Sequence, residues 1–169
     1  MSLAVLSIGY VVWATTGDIR EYGAFESIQV NVKQVMFDLN QTKTGTVIIA
    51  LDNPTGESVD VRLQPVLFVN GTQQNIEFGT GFMTAVRLEP HNISEVSIKV
   101  PAHSYSGFDI IEYEKNNPIE DWKIYVSISL FYSATLGRIL IPSCILYPEG
   151  ITAVCPERLI GQSRGFGGG

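Results

Sequence analysis

From Ser27 onward, apolar and polar residues alternate along this chain, and turn-forming residues interrupt the alternation at short intervals. Alternation with a period of two is typical of strands that bury one face. The segments that carry it are 28–37, 46–51, 59–69, 74–86, 96–100, 122–132 and 138–142. About seven strands, with no convincing helix after residue 27, predict an all-β protein with an immunoglobulin-like or fibronectin-like β-sandwich.

Local patterns refine this prediction. The apolar face of the first strand runs through Val32 and resumes at Val35, which implies a one-residue register shift. Asn70-Gly71 is a strong hairpin signal, because both residue types adopt the dihedral angles of tight turns. The segment 104–118 is the least regular part of the chain. The carboxylates in and after it match no calcium loop, so we expect a solvated acidic connection. They are Asp109, Glu112, Glu114, Glu120 and Asp121.

The first 17 residues contain no charged side chain, and residues 3–14 read LAVLSIGYVVWA before Asp18 brings the first charge. We expect this segment to contact an apolar partner. As a membrane-spanning helix it would reach about 25 Å, slightly short of a hydrocarbon core of roughly 30 Å. As a signal peptide it lacks a basic start. A further alternative is that it forms the first strand of its own sandwich.

Two assembly roles are also open to this segment. As a donated strand it would add main-chain hydrogen bonds to the sheet edge of a neighbour, and its alternate side chains would fill pockets there. Such a head-to-tail contact continues as a filament. As a helix continuing through Ile19 to Ile28 it would form a pilin-like stem, which its glycines weaken. The β-branched and aromatic content slightly favours the strand. The predicted assembly residues are Leu3, Val5, Leu6, Ile8, Tyr10, Val12 and Trp13.

The length of 169 residues suits one folded domain. We divide the chain into an apolar assembly segment with its connector (1–26), a β-sandwich (27–160) and a glycine-rich tail (161–169). With 11 basic and 17 acidic residues the net charge is −6, so we expect no nucleic-acid partner. Identical subunits are the expected partners. A membrane is expected only before assembly or as an alternative anchor.

The cysteines and the glycosylation motifs indicate the cellular location of the protein. Cys144 and Cys155 enclose a short segment with Pro and Gly that suits a hairpin, so a disulfide between them is expected, with two reduced buried thiols as the alternative. Asn40, Asn70 and Asn92 begin Asn-x-Ser/Thr motifs at predicted loops or strand ends, where N-linked glycans are accommodated. Together these features predict an extracellular or cell-surface glycoprotein.

The sequence contains no glycine-rich phosphate loop, nucleophile elbow or cluster of metal ligands, and His91 and His103 have no supporting motif. We therefore expect a protein that is not an enzyme and that uses no cofactor or metal. A lectin site on loops would instead expose aromatic rings such as Tyr105, Phe108 or Trp122.

The turns and strands between residues 28 and 142 include Asn53-Pro-Thr-Gly56, 59–63, Phe68-Val-Asn-Gly71, Leu88-Glu-Pro-His-Asn92 and 96–100. This pattern resembles the water-stress and hypersensitive-response (WHy) domain of late-embryogenesis-abundant proteins. The resemblance implies a fibronectin-like sandwich without a catalytic set. It also implies an alternative function, a membrane-anchored or soluble protein that shields other molecules under stress.

The order of parts, an apolar N-terminal segment followed by a sandwich with glycosylation motifs, resembles that of subunits of archaeal surface filaments. In pilin-like subunits the apolar segment is a helix in the filament core, and in threads or bundling pili it is a strand inserted into the next subunit. The resemblance implies a structural subunit of an extracellular pilus or thread, which is the function that we expect first.

Overall fold

The computed structural model describes residues 19–70, 75–103, 109–132, 137–140, 145–147 and 151–154. Within these ranges the chain forms a helix over 19–27 (α1), a second helix (α2, Ile110–Asn116), a short 3-10 helix (Ile119–Asp121) and ten strands. The strands are β1 Gln29–Asp38, β2 Thr44–Asn53, β3 Val59–Asn70, β4 Asn75–Thr80, β5 Thr84–Leu88, β6 Asn92–Pro101, β7 Lys123–Phe131, β8 Gly137–Leu140, β9 Ile145–Tyr147 and β10 Ile151–Val154.

The strands form two antiparallel sheets. The first has three strands in the order β1-β2-β6. The second has the order β10-β9-β7-β3-β4, and in it β5 also pairs with β3 and β8 with β7. Buried side chains from both sheets belong to one hydrophobic cluster. The predicted β-sandwich is therefore confirmed, with ten strands in the described residues rather than about seven.

The core follows the period of two that the sequence shows. In β7 every second residue from Ile124 to Leu130 is at most 1% exposed, and the residues between them are only half-buried. In β2 the side chains of Val47, Ile49 and Leu51 are fully buried in the same way. Burying one such side chain contributes about 2 kcal/mol to stability, so these alternating rows supply much of the driving force for folding.

The register shift predicted in the first strand is present. Val32 pairs with Ile49 and Gln34 with Ile48, so one extra residue, Lys33, forms a bulge in β1. The bulge returns Val35 to the inner face of the sheet, opposite Val47. A one-residue insertion is what keeps the apolar residues on both sides of it facing the core.

The predicted strand 74–86 is two strands, which corrects the sequence interpretation. Both β4 and β5 lie beside β3, with Thr80 opposite Val66 and Thr84 opposite Leu63. Between these pairs β3 carries Pro65, which has no N–H to donate to a ladder. The chain crosses this gap at Gly81, whose N–H donates to the Pro65 carbonyl at 2.8 Å.

The expectation of no helix after residue 27 is wrong. Helix α2 occupies 110–116, within the segment that we expected to be an irregular acidic connection. Asp109 caps it by accepting a hydrogen bond from the N–H of Ile111 at 2.9 Å. Ile110 and Tyr113, three residues apart, are buried. One face of this short helix therefore packs on the core, while its carboxylates remain outside.

Candidate functional site

The residues predicted to make the assembly contact lie outside the described residues, so the structure describes the part of the molecule that follows them. These residues are Leu3, Val5, Leu6, Ile8, Tyr10, Val12 and Trp13. The first described element is helix α1, which leads into β1 after a single residue, Ile28. The way in which α1 is attached to the sandwich therefore determines how the apolar segment is joined to it.

Helix α1 is fixed to the sandwich by aromatic packing. Ala24 and Phe25 are 3% and 1% exposed. The ring centroid of Phe25 lies 5.6 Å from that of Tyr132, and the ring of Tyr22 lies 6.1 Å from both. Since Tyr132 directly follows β7, these contacts attach the helix to the end of a central strand.

The part of α1 nearest the apolar segment presents apolar surface to solvent. Ile19 is 69% exposed and Tyr22 is 38% exposed, whereas Phe25 and Ile28 are buried in the sandwich core. These four residues are the ones that the helical-stem alternative placed on one helix. The backbone is helical over 19–27 and Ile28 lies just after the helix, so the first turn of α1 exposes the apolar side chains of Ile19 and Tyr22.

Each edge of the three-stranded sheet is approached by a strand of the other sheet, β6 by β4 and β1 by β10. Near its C-terminal end β6 is covered by β4, because the N–H of His103 donates to the Phe78 carbonyl at 2.7 Å. A Cβ atom on Gly79 would overlap the carbonyl oxygen of Pro101. The other edge, β1, pairs with β2 only, and no other strand in the described part of the chain forms a ladder with it.

Asn53 organises the turn that contributes most to the resemblance in sequence. Its buried amide donates to the carbonyl oxygens of Glu57 at 2.7 Å and of Glu89 at 3.2 Å. Its oxygen accepts from the backbone N–H of Thr55 at 3.1 Å and from the Thr55 hydroxyl at 2.7 Å. One side chain thus joins the β2–β3 and β5–β6 turns. The role of Asn53 is structural.

The acidic segment around α2 contains one exposed ion pair. Asp109 contacts Lys43 Nζ at 3.2 Å in an exposed ion pair. The hydrogen bond from the N–H of Ile111, followed by the hydrogen bond from Lys43, lowers the pKa of the Asp109 carboxyl. No group of three or more potential metal ligands occurs among the residues that the structure describes.

The glycosylation motifs lie at turns and strand ends. Asn40 is exposed in the β1–β2 turn, Asn92 is exposed at the start of β6, and Asn70 ends β3. In the first motif the hydroxyl of Thr42 already contacts an Asp38 carboxylate oxygen at 3.0 Å. Asn40 and Asn92 therefore have the surface position that an attached glycan requires.

Cys144 and Cys155 lie outside the described residues. The strands next to them in the sequence, β9 and β10, pair antiparallel, with Ile145 opposite Val154. The predicted hairpin between the cysteines is therefore present in these two strands.

Trp122, His91 and His103 are the remaining candidate residues for a binding or catalytic site. Trp122 is fully buried, and its indole N–H donates to the Asn117 carbonyl at 2.7 Å. It therefore offers no exposed ring for a lectin site, and Tyr105 and Phe108 lie outside the described residues. His103 contacts Glu77 at 2.9 Å, and His91 occupies a turn with a φ of 51°.

An exposed apolar loop lies between β4 and β5, which the alternation in the sequence does not predict. Phe82 is 73% exposed and Met83 is 50% exposed. The loop is held by hydrogen bonds from Gly81 N–H to Pro65 and from the Gln64 amide to the Gly81 carbonyl. Interpreting 74–86 as one strand concealed this loop, and the proline in the neighbouring strand is the signal that would have revealed it.

The helices in the described ranges lack the combination of length and apolar character that crossing a bilayer needs.

A scan against protein-family models finds no match, and neither does a search of curated proteins. Solved structures do match. The Escherichia coli curli protein CsgC is 13% identical, with 67% of this chain and 93% of that chain covered and a TM-score of 0.32. A protein from Archaeoglobus fulgidus is 12% identical, with 72% and 86% covered and a TM-score of 0.33. These likenesses extend no further than a small β-rich fold.

The prediction that the protein is not an enzyme is contradicted, because glycosidases are among the matched structures. The β-glucosidase DesR of Streptomyces venezuelae is 14% identical over 68% of this chain, with a TM-score of 0.37. Bacteroides uniformis β-glucuronidases match as well. The chain spans only 14% of DesR and 13% of the β-glucuronidases. The matches thus remove the exclusion of enzymes without assigning an activity to this chain.

Proposed function

We propose that the protein is a structural subunit of an extracellular surface filament, a pilus or thread, and that identical subunits polymerise head to tail through residues 3–14. The observation that carries the proposal is the attachment of helix α1. Phe25 and Ala24 anchor this helix in the sandwich core, and it follows an uncharged apolar segment in the chain. A contact made by that segment would therefore be joined to the sandwich through helix α1, which is short and packs on the core.

The location outside the cell rests on the covalent features. A disulfide between Cys144 and Cys155 would persist in an oxidising environment, and Asn40 and Asn92 are exposed acceptors for N-linked glycans. In this proposal the apolar segment contacts a membrane only before assembly, and the exposed faces of the sandwich become the outer surface of the filament.

Electron microscopy of the purified full-length protein tests the proposal. We expect long fibres from the unaltered chain and none from the double variant Ile8→Asp/Val12→Asp, because a buried interface does not accept unpaired carboxylates. The matched control is Thr15→Asp/Thr16→Asp, which adds the same charge just outside residues 3–14 and should still form fibres. Folded monomers of the unaltered chain at high concentration would contradict the proposal.

The buried Asn53 of the Asn-Pro turn supports a second candidate, a WHy-type protective protein that is membrane-anchored or soluble. In this chain the residue bonds to two turns of the sandwich, and the Asn-Pro turn is among the features that carry the WHy resemblance. The two candidates separate in one measurement: protection of a heat-labile enzyme from aggregation, or partitioning into lipid vesicles, in the absence of fibres favours the protective function.

A further inference from the structure

We infer that the outer face of the larger sheet, where β3 and β7 lie side by side, binds an extended chain of neutral, β-linked sugars. The inference goes beyond the proposed function, because it concerns the surface of the sandwich and uses no contact of residues 3–14. We call this surface the sugar platform. It consists of three aromatic residues and the polar residues between them: Phe68, Tyr125 and Phe131, with Gln64, Ser127 and Ser129.

The pairing of β3 with β7 places these side chains on one face. Phe68 lies opposite Tyr125. Arg62 lies opposite Phe131 at the other end of the same ladder, and the register does not shift between the two pairs. Residues directly opposite in an antiparallel pair project from the same side of the sheet. The pairs that alternate with them face the core and are at most 1% exposed: Leu63 with Leu130, Leu67 with Val126, and Val69 with Ile124.

The aromatic rings of the sugar platform are accessible. Phe68 is 36% exposed, and Tyr125 and Phe131 are half-buried. A Cβ atom on Gly137, the partner of Phe131 in β8, would lie 2.5 Å from Cδ1 and 3.0 Å from Cε1 of the Phe131 ring. The ring therefore extends over the glycine, along the surface of the sheet. An aromatic ring in this position offers apolar surface on which the C–H face of a pyranose can pack.

The separation of the rings requires a ligand several sugars long. Tyr125 and Phe131 are six residues apart in β7, which is about 20 Å in a strand. Between them lie two serine hydroxyls and the amide of Gln64, which can exchange hydrogen bonds with sugar hydroxyls. The Gln64 amide nitrogen already donates to the Gly81 carbonyl at 3.2 Å. This bond fixes the side chain and leaves its oxygen as an acceptor for the ligand.

The charges of this face match a neutral ligand. Between the two aromatic ends, the outward residues of β3 and β7 are all uncharged. Asp60 and Arg87 neutralise one another in an ion pair of 3.1 Å. Arg62 and Lys123 stand at opposite ends of the face, eight residues apart along β7 or about 27 Å. A polyanionic chain would therefore meet no row of cations. The remaining charge on this face, Glu77 beside Phe68, contacts His103 at 2.9 Å.

The linkage of the sugar chain follows from the straightness of the face. A β-linked chain of glucose units has equatorial hydroxyls and equatorial linkages, so it is extended and each unit has an apolar C–H face. An α-linked chain of the same units curves away from a straight row of contacts. Rings at both ends with polar groups between them are the usual composition of a small-molecule site, a few placed polar groups on an apolar surface.

Calorimetric titration of the full-length protein with cellohexaose tests the inference. We expect binding, with affinity at least about tenfold lower for cellobiose, which is too short to reach both aromatic ends, and for the curved maltohexaose. Tyr125→Leu should also weaken binding about tenfold, because leucine keeps the surface apolar but removes the ring. The matched control is Phe82→Leu, in the β4–β5 loop, where the ring is 73% exposed and should not matter.

No binding of cellohexaose, equal affinity for the two hexasaccharides, or equal losses in Tyr125→Leu and Phe82→Leu would overturn the inference. Amide chemical shifts supply a readout on the unaltered surface. In the Ile8→Asp/Val12→Asp variant, cellohexaose should shift amides of 62–68 and 125–131 and leave those of 29–38 and 92–101 in place. The reverse pattern would also overturn it. Since this variant is expected to form no fibres, binding is decided separately from the filament proposal.

Discussion

The side chain of Asn53 contributes to the stability of the fold, because it makes four hydrogen bonds at a fully buried position. Two of its partners are backbone carbonyls, of Glu57 and Glu89, in different turns. These two hydrogen bonds are part-buried, and a buried polar group that loses its partner costs about 1 to 3 kcal/mol. A single residue thus couples the ends of β2 and β5 to one another.

We expect Asn53→Ala to lower the free energy of unfolding by about 3 kcal/mol, because it leaves these carbonyls unpaired and opens a small cavity. The measurement is chemical denaturation followed by tryptophan fluorescence. Asn31→Ala on the exposed face of β1 is the control, and it should change stability by less than about 0.5 kcal/mol. Equal effects of the two substitutions would show that the Asn53 hydrogen bonds contribute little.

At the scale of elements, the two sheets approach one another closely at Gly79 in β4 and Pro101 in β6, where a side chain on residue 79 would meet backbone. We expect Gly79→Ala to destabilise the protein by about 3 kcal/mol, since β4 must move away from β6. In α1, Gly23 has no neighbouring atom within 4 Å of a Cβ position. Gly23→Ala should stabilise by about 0.5 to 1 kcal/mol, because alanine favours helix.

Thermal unfolding of both glycine variants provides the comparison. The opposite signs are the essential result, because a general sensitivity to alanine would move both melting temperatures in one direction. A Gly79→Ala protein as stable as the unaltered chain would mean that β4 and β6 are further apart in solution than in this structure.

The N-cap residue of α2, Asp109, makes the stability of the folded protein sensitive to acid. In the folded protein the pKa of Asp109 lies below its ordinary value of 3.8, because the N–H of Ile111 and then the ammonium of Lys43 stabilise the carboxylate. The stabilisation is therefore present above that ordinary value and is lost as the pH falls through the folded-state pKa.

We expect Asp109→Asn to reduce the loss of melting temperature on acidification below about pH 4, because asparagine caps a helix but does not titrate. Melting curves at several pH values give the measurement. Asp60→Asn, at an exposed ion pair with Arg87, is the control. Identical acid profiles for Asp109→Asn and the unaltered protein would contradict the role assigned to this carboxylate.

For the whole molecule, structural features that depend on local alternation can be predicted from the sequence. Features that depend on neighbouring strands cannot. The buried row from Ile124 to Leu130 and the bulge between Val32 and Val35 follow from the order of apolar residues alone. The division of 74–86 does not, because its cause is Pro65 in another strand. Helix α2 had a local signal, Asp109 three residues before Glu112, which the density of carboxylates obscured.

The candidate site shows the same limit. An uncharged N-terminal segment is visible in the sequence, but which strands lie at the edges of a sheet depends on strand order. Nothing local in 29–38 distinguishes an edge strand from a central one, because its alternation is similar to that of β2. The pairing of β6 with β2, which leaves β1 outermost, joins segments that are 39 (Asn53 with Asn92) to 57 (Thr44 with Pro101) residues apart in the chain. This separation is far beyond the window in which periodicity carries information.

The last prediction concerns the covalent closure of the molecule. The antiparallel pairing of Ile145 with Val154 brings together the strands that adjoin Cys144 and Cys155, and we expect a disulfide between them. A bridge that closes a loop of about a dozen residues stabilises by roughly 3 kcal/mol. Non-reducing peptide mapping should recover the linked pair, and reduction should lower the melting temperature. Cys144→Ser/Cys155→Ser should melt at the reduced value and be insensitive to reductant, whereas two alkylatable thiols in the folded, unreduced protein would rule the bridge out.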